Sequence, residues 1–312
     1  MREAEYLRPR TIDEALAAAG RHPGDYAYIA GGTDLIVHLK QRLVAERVLI
    51  DLTEIGGLSG VADRGDSIAI GSMTTLAEIE GSSLVREKLP LLAEAARAVA
   101  SPVIRKTATL GGNLLVRNRC SFYNQSLQWR VAIGSCLRDG GETCLVTGAE
   151  TGCFARNVSD TAPALLALGA KAEIRDRTGT RRDPLSGLYA QDGMASHRGL
   201  EGDAILTGIE VPGRTAAWWY KKLRLRRSVD FSSLTVAAAA RPGEGIRVSL
   251  GGVSPAPVLI DCDPSGRDEP DNLVRRARKE CRTVKNDALP LDHRRDMIEV
   301  YLRKMWETIG GS

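Results

Sequence analysis

The sequence predicts an α+β protein of more than one domain, and three observations carry that reading. The chain has 312 residues, long enough for two or three domains with sizeable cores. As far as Pro212-Gly213, strand-like and helix-like stretches are interspersed, one strand running directly into a glycine pair and a helix. Beyond Pro212-Gly213, the clearest break in the chain, an antiparallel strand pair is followed by helices to the end.

Thr11 to Ala19 reads as a short helix, with Thr11 as N-cap, Glu14 at the capping-box position and Gly20 ending it. Asp25 to Ala30 is a strand entering Gly31-Gly32-Thr33-Asp34, and Leu35 to Lys40 follows with helical character. Strand, glycine pair and helix start form an anion-binding arrangement, because glycine lets the backbone approach and amide N–H groups point outward. The pattern is not GxGxxG, so the Rossmann fingerprint is absent. On its own the turn reads as a plain strand–helix connection. Val48 to Leu52 is a second strand, and Ser67 to Gly71 alternates as a third. Leu89 to Ala100 is an alanine-rich helix broken by Ser101-Pro102. A second glycine pair follows at Thr109-Leu110-Gly111-Gly112-Asn113.

Thr161 to Leu168 reads as a helix with Asp160 at its N-cap. Lys171 to Arg175 alternates as a strand, Thr178-Gly179-Thr180 turns into the next, and Ala204 to Val211 is another. Past the boundary, the strand from Trp218 to Arg227 carries five basic residues in the seven from Lys221 onward. That run reads as a solvated basic face, since the formal net charge of +4 is too small to argue for nucleic acid. Leu234 to Ala240 and Ile246 to Val253 pair around Pro242-Gly243-Glu244-Gly245, and Asp261 to Asp271 is a polar loop. Leu273 to Cys281 and Leu291 to Trp306 are the last helices.

The least core-like stretch holds four of the six cysteines: Cys120, Cys136, Cys144 and Cys153. Between them lie five glycines and no sustained apolar period, so something other than a hydrophobic core must order the segment, and thiolate ligation would do so. The gaps of fifteen, seven and eight residues contain no CxxC pair, which is unlike the usual zinc spacing and looser than the familiar ferredoxin runs. Spacing alone leaves an iron–sulfur centre, zinc and free thiols open. Disulfides are disfavoured, since Met1 to Glu5 shows no apolar signal segment and the expected compartment is the cytoplasm.

Arg119-Cys120-Ser121-Phe122-Tyr123-Asn124-Gln125-Ser126, the three later cysteines and Ser159 to Ala170 resemble the flavoprotein β subunit of 4-hydroxybenzoyl-CoA reductase. That subunit belongs to the xanthine dehydrogenase family of molybdenum hydroxylases and carries an insertion with an extra [4Fe–4S] cluster. The resemblance implies a two-subdomain FAD-binding (PCMH-type) domain over residues 1–212, divided near residue 52, with the insertion at about 117–157. A smaller α+β domain, an antiparallel sheet plus helices, would occupy 213–312. It implies Cys120, Cys136, Cys144 and Cys153 as cluster ligands. It implies Ala30, Gly31, Gly32, Thr33, Asp34 and Leu35, then Thr109, Gly111, Gly112 and Asn113, as FAD contacts, with Asp160 near the ribityl–phosphate part. More loosely, Tyr220-Lys221-Lys222 and Arg226 to Phe231 resemble segments near the flavin ring, making Tyr220, Lys222 and Asp230 candidates. One departure is Leu145 after Cys144, where the subunit has histidine.

No Ser-His-Asp or Cys-His nucleophile arrangement is visible, and His38, His197 and His293 read as isolated surface or packing residues. Cys262 and Cys281 lie far from the other four in the sequence and are not read as ligands. No run approaches the roughly 18 apolar residues of a membrane span. The expected chain is therefore one electron-transfer subunit of a complex. The resemblance implies a molybdopterin-containing large subunit, a small subunit with two [2Fe–2S] clusters, a ferredoxin-like donor and a dimer of heterotrimers. Electrons would run from the donor through [4Fe–4S] and FAD to [2Fe–2S] and molybdenum. A hydroxylase flavin subunit acting on purines or other heterocycles, and a zinc-stapled interaction protein, are the rival readings.

Overall fold

The computed structural model describes residues 4–310 apart from 196, 198–199, 201, 214, 242 and 264–269. Met1 to Glu3, Pro242 of the expected turn and most of the expected polar loop therefore lie outside the described residues. Three sheets, each with apolar side chains packed on it, organise the rest.

The first sheet comprises β1 (Glu5–Leu7), β2 (Tyr26–Ile29) and β3 (Val48–Asp51), with α1 (Ile12–Arg21) and α2 (Leu35–Lys40) between them. Its order is β1-β3-β2, all parallel, and β3 at its centre is buried throughout. Helix α1 lays Ala15, Leu16, Ala18 and Ala19 against Val48 and Ile50. Thr11 caps it by accepting the Glu14 N–H, but the Glu14 carboxylate reaches back to the Arg10 N–H instead of that of Thr11. The helix passes Gly20 and ends one residue later, because the helical conformation costs a glycine entropy without forbidding it.

The second sheet has five strands. In chain order the elements are β4 (Val61–Asp63), β5 (Ser67–Gly71), α3 (Leu76–Gly81), α4 (Ser83–Lys88), α5 (Pro90–Arg97), α6 (Pro102–Arg105) and α7 (Leu110–Leu114). They continue with α8 (Leu127–Ile133), α9 (Thr161–Ala167), β6 (Lys171–Asp176), β7 (Gly179–Pro184) and β8 (Ile205–Pro212). The order β4-β5-β8-β6-β7 is antiparallel throughout. The alanine-rich helix is shorter than its sequence suggests: Pro90 occupies the first turn of α5, and Ser101 begins a separate turn by capping the Ile104 N–H. The cysteine segment, read as lacking helical period, contains α8 under a Ser126 cap. Its apolar Val131 and Ile133 face outward while Arg130 is buried, so the usual pattern is inverted.

The third sheet comprises β9 (Ala217–Leu223), β10 (Leu234–Arg241), β11 (Gly245–Gly251) and β12 (Val258–Cys262), antiparallel in the order β12-β11-β10-β9. One face is covered by α10 (Pro270–Glu280) and α11 (Leu291–Ile309). The other face packs on α9, so β10 is buried on both sides and reads as an unbroken small-apolar run. Asp261 and Cys262, expected in a loop, belong to β12, and Asp271 belongs to α10. The approach to α9 is close, as a Cβ on Gly251 would stand 2.7 Å from Pro163 Cγ.

Candidate functional site

Between the first two sheets, and closed by the loop after β9, lies a cleft of about 730 Å³. The first glycine turn supplies one wall, with Ala30, Gly31, Gly32, Thr33, Asp34 and Leu35 all lining it. Gly32 needs its glycine for a backbone φ of 67°, and Gly31 because a Cβ there would sit 1.8 Å from the Thr107 carbonyl oxygen. That contact brings the first turn against the segment leading into the second, whose Thr109, Gly112 and Asn113 also line the cleft. Thr109 caps α7 by accepting the Gly112 N–H at 3.1 Å. Asn113 Oδ1 accepts from the Ser159 hydroxyl, the Thr161 hydroxyl and the Thr161 N–H, at 2.8, 2.7 and 3.2 Å. It thereby ties α7 to the start of α9, which presents Asp160 to the cleft.

Asp160 does not cap α9. Its Oδ2 accepts from Lys222 Nζ at 2.6 Å, both side chains being only 4% exposed. Complete burial pushes the Asp160 carboxyl above its ordinary range, against the pull of the Lys222 charge. Lys222 also donates to the Ala98 and Asp230 carbonyls, so its three N–H bonds join the end of α5, the start of α9 and the loop after β9. Lys222, expected as a flavin-facing cation, is tied beneath the residues that line the cleft. Tyr220 likewise stands in the core shared by the second and third sheets. Gly111 does not line the cleft either: its N–H donates to the Ser72 carbonyl at 2.7 Å, and a Cβ would press on Ser72. Asp230 does line it, accepting the Arg226 N–H.

Other side chains in the cleft escaped the sequence reading. Arg119 pairs with Asp34 and stacks 4.4 Å from the Phe231 ring. At the rim, Ala100 and Val229 both hold left-handed backbones, φ 42° and 52°, and the Val229 N–H donates to the Ala100 carbonyl. A β-branched residue there stores strain of about 1–3 kcal/mol, and such strain gathers at ligand sites. His38, expected at the surface or in simple packing, is 1% exposed and lines the cleft one helical turn from Asp34. Burial pulls its pKa down to about 4, against the opposing charge of Asp34. The available signal was its i+4 spacing from Asp34 on one helix face.

The four cysteines meet around a second, much smaller space. Cys120, Cys136, Cys144 and Cys153 line a single cavity of about 20 Å³, walled by Phe122, Leu137, Leu145, Val146 and Phe154 among others. None is disulfide-bonded. Burial raises the Cys120 thiol and pushes Cys153 up to about 11, while backbone N–H groups of Phe122, Tyr123 and Ala155 aimed at the two sulfurs favour their thiolates. Sulfur atoms that receive peptide N–H groups in an apolar pocket suit a buried cluster. As it stands, no group of three or more His, Cys, Asp or Glu among the described residues is arranged to hold a metal ion. Cys262 and Cys281 lie elsewhere, in the third core. Cleft and cavity are close in the structure: His38 Nε2 lies 3.5 Å from Asn124 Nδ2, and Asn124 Oδ1 accepts the Cys120 N–H at 2.9 Å.

No helix among the described residues is long and apolar enough to cross a membrane. Residues 2–214 match the family described as the FAD binding domain in molybdopterin dehydrogenase. The chain is 32% identical over 271 residues to the aldehyde oxidoreductase FAD-binding subunit PaoB of Escherichia coli K12, covering 84% of this chain and 85% of that one. It is 28% identical over 258 residues to the carbon monoxide dehydrogenase medium chain of Hydrogenophaga pseudoflava, covering 80% and 75%. In fold it is similar to reconstituted CO dehydrogenase from Oligotropha carboxidovorans, with a TM-score of 0.76, 24% identity and 99% and 98% coverage. The chain belongs to the FAD-binding subunits of the molybdenum hydroxylase family of oxidoreductases.

Proposed function

We propose that this chain is an electron-entry subunit, holding a [4Fe–4S] cluster on Cys120, Cys136, Cys144 and Cys153 beside its FAD. The observation that carries the proposal is the sharing of one apolar cavity by four thiols distant in sequence. A cluster would supply one-electron chemistry and FAD the exchange between one- and two-electron steps. In this reading residues 1–212 form the FAD-binding domain and 213–312 the C-terminal flavoprotein domain. Ala30 to Leu35, Thr109, Gly111, Gly112, Asn113, Asp160, Tyr220, Lys222 and Asp230 are the FAD-binding residues of this reading, most of them lining the cleft. The partners are a molybdopterin-containing large subunit, a small subunit with two [2Fe–2S] clusters and a ferredoxin-like donor, in a dimer of heterotrimers. The reaction served is the reductive dehydroxylation of 4-hydroxybenzoyl-CoA, for which a strongly reducing entry point has a physical purpose.

A second reading keeps the cofactors but serves a hydroxylase of purines or other heterocycles. It is favoured by relatives named as a xanthine dehydrogenase FAD-binding subunit of E. coli O157:H7 and a nicotine 6-hydroxylase medium subunit of Paenarthrobacter nicotinovorans. Family membership sets aside the zinc-stapled interaction protein. The test is iron, zinc, acid-labile sulfide and flavin analysis of anaerobically purified protein. About four iron and four sulfide with one FAD per chain are expected. FAD without iron, after reconstitution with the four thiols intact, would reduce the chain to an ordinary flavin subunit. The substrate is read separately, by reduced-flavin formation in the assembled complex with hypoxanthine or nicotine, and by flavin reoxidation with 4-hydroxybenzoyl-CoA.

A further inference from the structure

Among the residues lining the four-thiol cavity, Arg138 alone is charged. It stands two residues after Cys136 in a 3₁₀ turn spanning Leu137–Asp139, which Gly140 closes with a left-handed φ of 85°. Two contacts fix its guanidinium. It stacks 4.3 Å from the Tyr123 ring centre and donates to the Asn118 carbonyl at 2.8 Å. Asn118 is itself fully buried and bonded through Nδ2 to the Ala155 and Pro255 carbonyls. The neighbouring Arg130 is committed elsewhere, to Asp139 and to the Gln125 and Arg42 carbonyls. The Arg138 charge acts on Cys153 in the cavity and also on His38 and Arg119 of the cleft.

We propose that Arg138 is a tuning residue which raises the reduction potential of the cluster held by the four cysteines. The inference rests on the cluster reading above. Four thiolates outweigh the charge of a cubane core, and one-electron reduction adds a further negative charge with no proton to offset it. In an apolar cavity that added charge is unfavourable unless a cation stands near. A guanidinium stacked on an aromatic ring and bonded to a buried carbonyl presents a fixed positive charge to the cavity. The two contacts therefore have an electrostatic consequence beyond packing.

The test compares the full-length wild type with Arg138→Gln, Arg138→Lys and Tyr123→Leu, purified anaerobically. Iron and sulfide are quantified, and each cluster is titrated with dithionite under EPR detection. In Arg138→Gln the reduction equilibrium is expected to weaken about tenfold, a fall of about 59 mV for one electron. Arg138→Lys should recover most of this, and Tyr123→Leu, which frees the guanidinium, should give a smaller fall. A wild-type potential in Arg138→Gln at full iron content would overturn the proposal. Should that variant lose its iron, an unchanged potential in iron-loaded Tyr123→Leu overturns it equally. A wild-type chain that binds no iron is a different result, removing the cluster reading itself and the proposal with it.

Discussion

At the scale of single residues, the pairs Gly31-Gly32 and Gly56-Gly57 show that similar sequence signals serve different ends. Gly31 is required by a carbonyl that a methyl group would strike, whereas a methyl group on Gly56 would meet nothing within 4 Å. Gly31→Ala is therefore expected to cost about 1–3 kcal/mol and to empty most of the FAD site, while Gly56→Ala stays within about 0.5 kcal/mol of wild type. Flavin absorbance per purified chain and the urea midpoint measure both, and equal flavin content in the two variants would contradict the close approach of the turns. His38 gives a pH dependence with a definite sign. Its folded pKa, about 4, lies below the ordinary 6.5, chiefly through burial; Asp34 opposes the shift while Arg119, Arg117 and Arg138 add to it. The unfolded chain thus binds the proton first as pH falls, and stability is lost from about pH 6.5 down to about 4. At pH 5 the loss from this group is about 2 kcal/mol. His38→Gln, which cannot titrate, should flatten the difference between urea midpoints at pH 7 and pH 5 by that amount; an unflattened difference would assign the acid sensitivity to other groups.

At the scale of elements, the short helix α7 matters through what its last residues hold. Ser159 and Thr161 are fully buried, and both hydroxyls and the Thr161 amide depend on Asn113 Oδ1. Asn113→Ala would strand several buried donors, at about 1–3 kcal/mol each before relaxation. The expected outcome is a lowered urea midpoint together with weakened FAD binding, since α9 would no longer hold Asp160 at the cleft. A loss of stability at unchanged FAD affinity would show that Asp160 is positioned by Lys222 alone. Elements with a strong local signature were legible: α2 occupies the stretch read as helical, and β10 and β11 pair as expected. Those set by distant partners were not. The three-residue β1 and β4 are too short to show a period, and β12 hides behind two prolines and a following polar stretch. The same divide runs through the site. The glycine turns and cysteines announce themselves because few residues can replace them. His38, Arg119 and Phe231 are ordinary residues brought to the cleft by the chain folded around them, while Tyr220 and Lys222, two apart on β9, share the face of the strand that lies beneath it.

At the scale of the whole molecule, the cysteine segment is a thinly packed tip mounted on a firm base. Its base is firmly held: Arg119 and Arg156 exchange both backbone hydrogen bonds, at 2.8 and 2.9 Å. Asn286 accepts the Ser121 N–H on its carbonyl and donates through Nδ2 to the Phe154 carbonyl, at 3.2 and 2.6 Å, anchoring both flanks to the third unit. The Arg156–Asp287 ion pair and the buried Arg294 sit beneath the same junction. Farther out, from Gly134 to Gly152, Cys144 is the sole buried hydrophobic residue, and four glycines there have left-handed backbones. So little apolar burial contributes only a small part of what ordering such a stretch costs. In the proposed cluster reading, ligation by the four thiolates supplies the remaining order, so iron should stabilise the tip without being needed by the cleft. Removing iron with an anaerobic chelator is expected to open the chain to limited proteolysis between Gly134 and Gly152 while FAD stays bound. Mass mapping of the cuts together with flavin fluorescence reads both halves of that expectation. Equal protease resistance with and without iron would mean that the tip orders itself; simultaneous loss of FAD would mean that the base transmits the tip's collapse through Arg119 to the cleft.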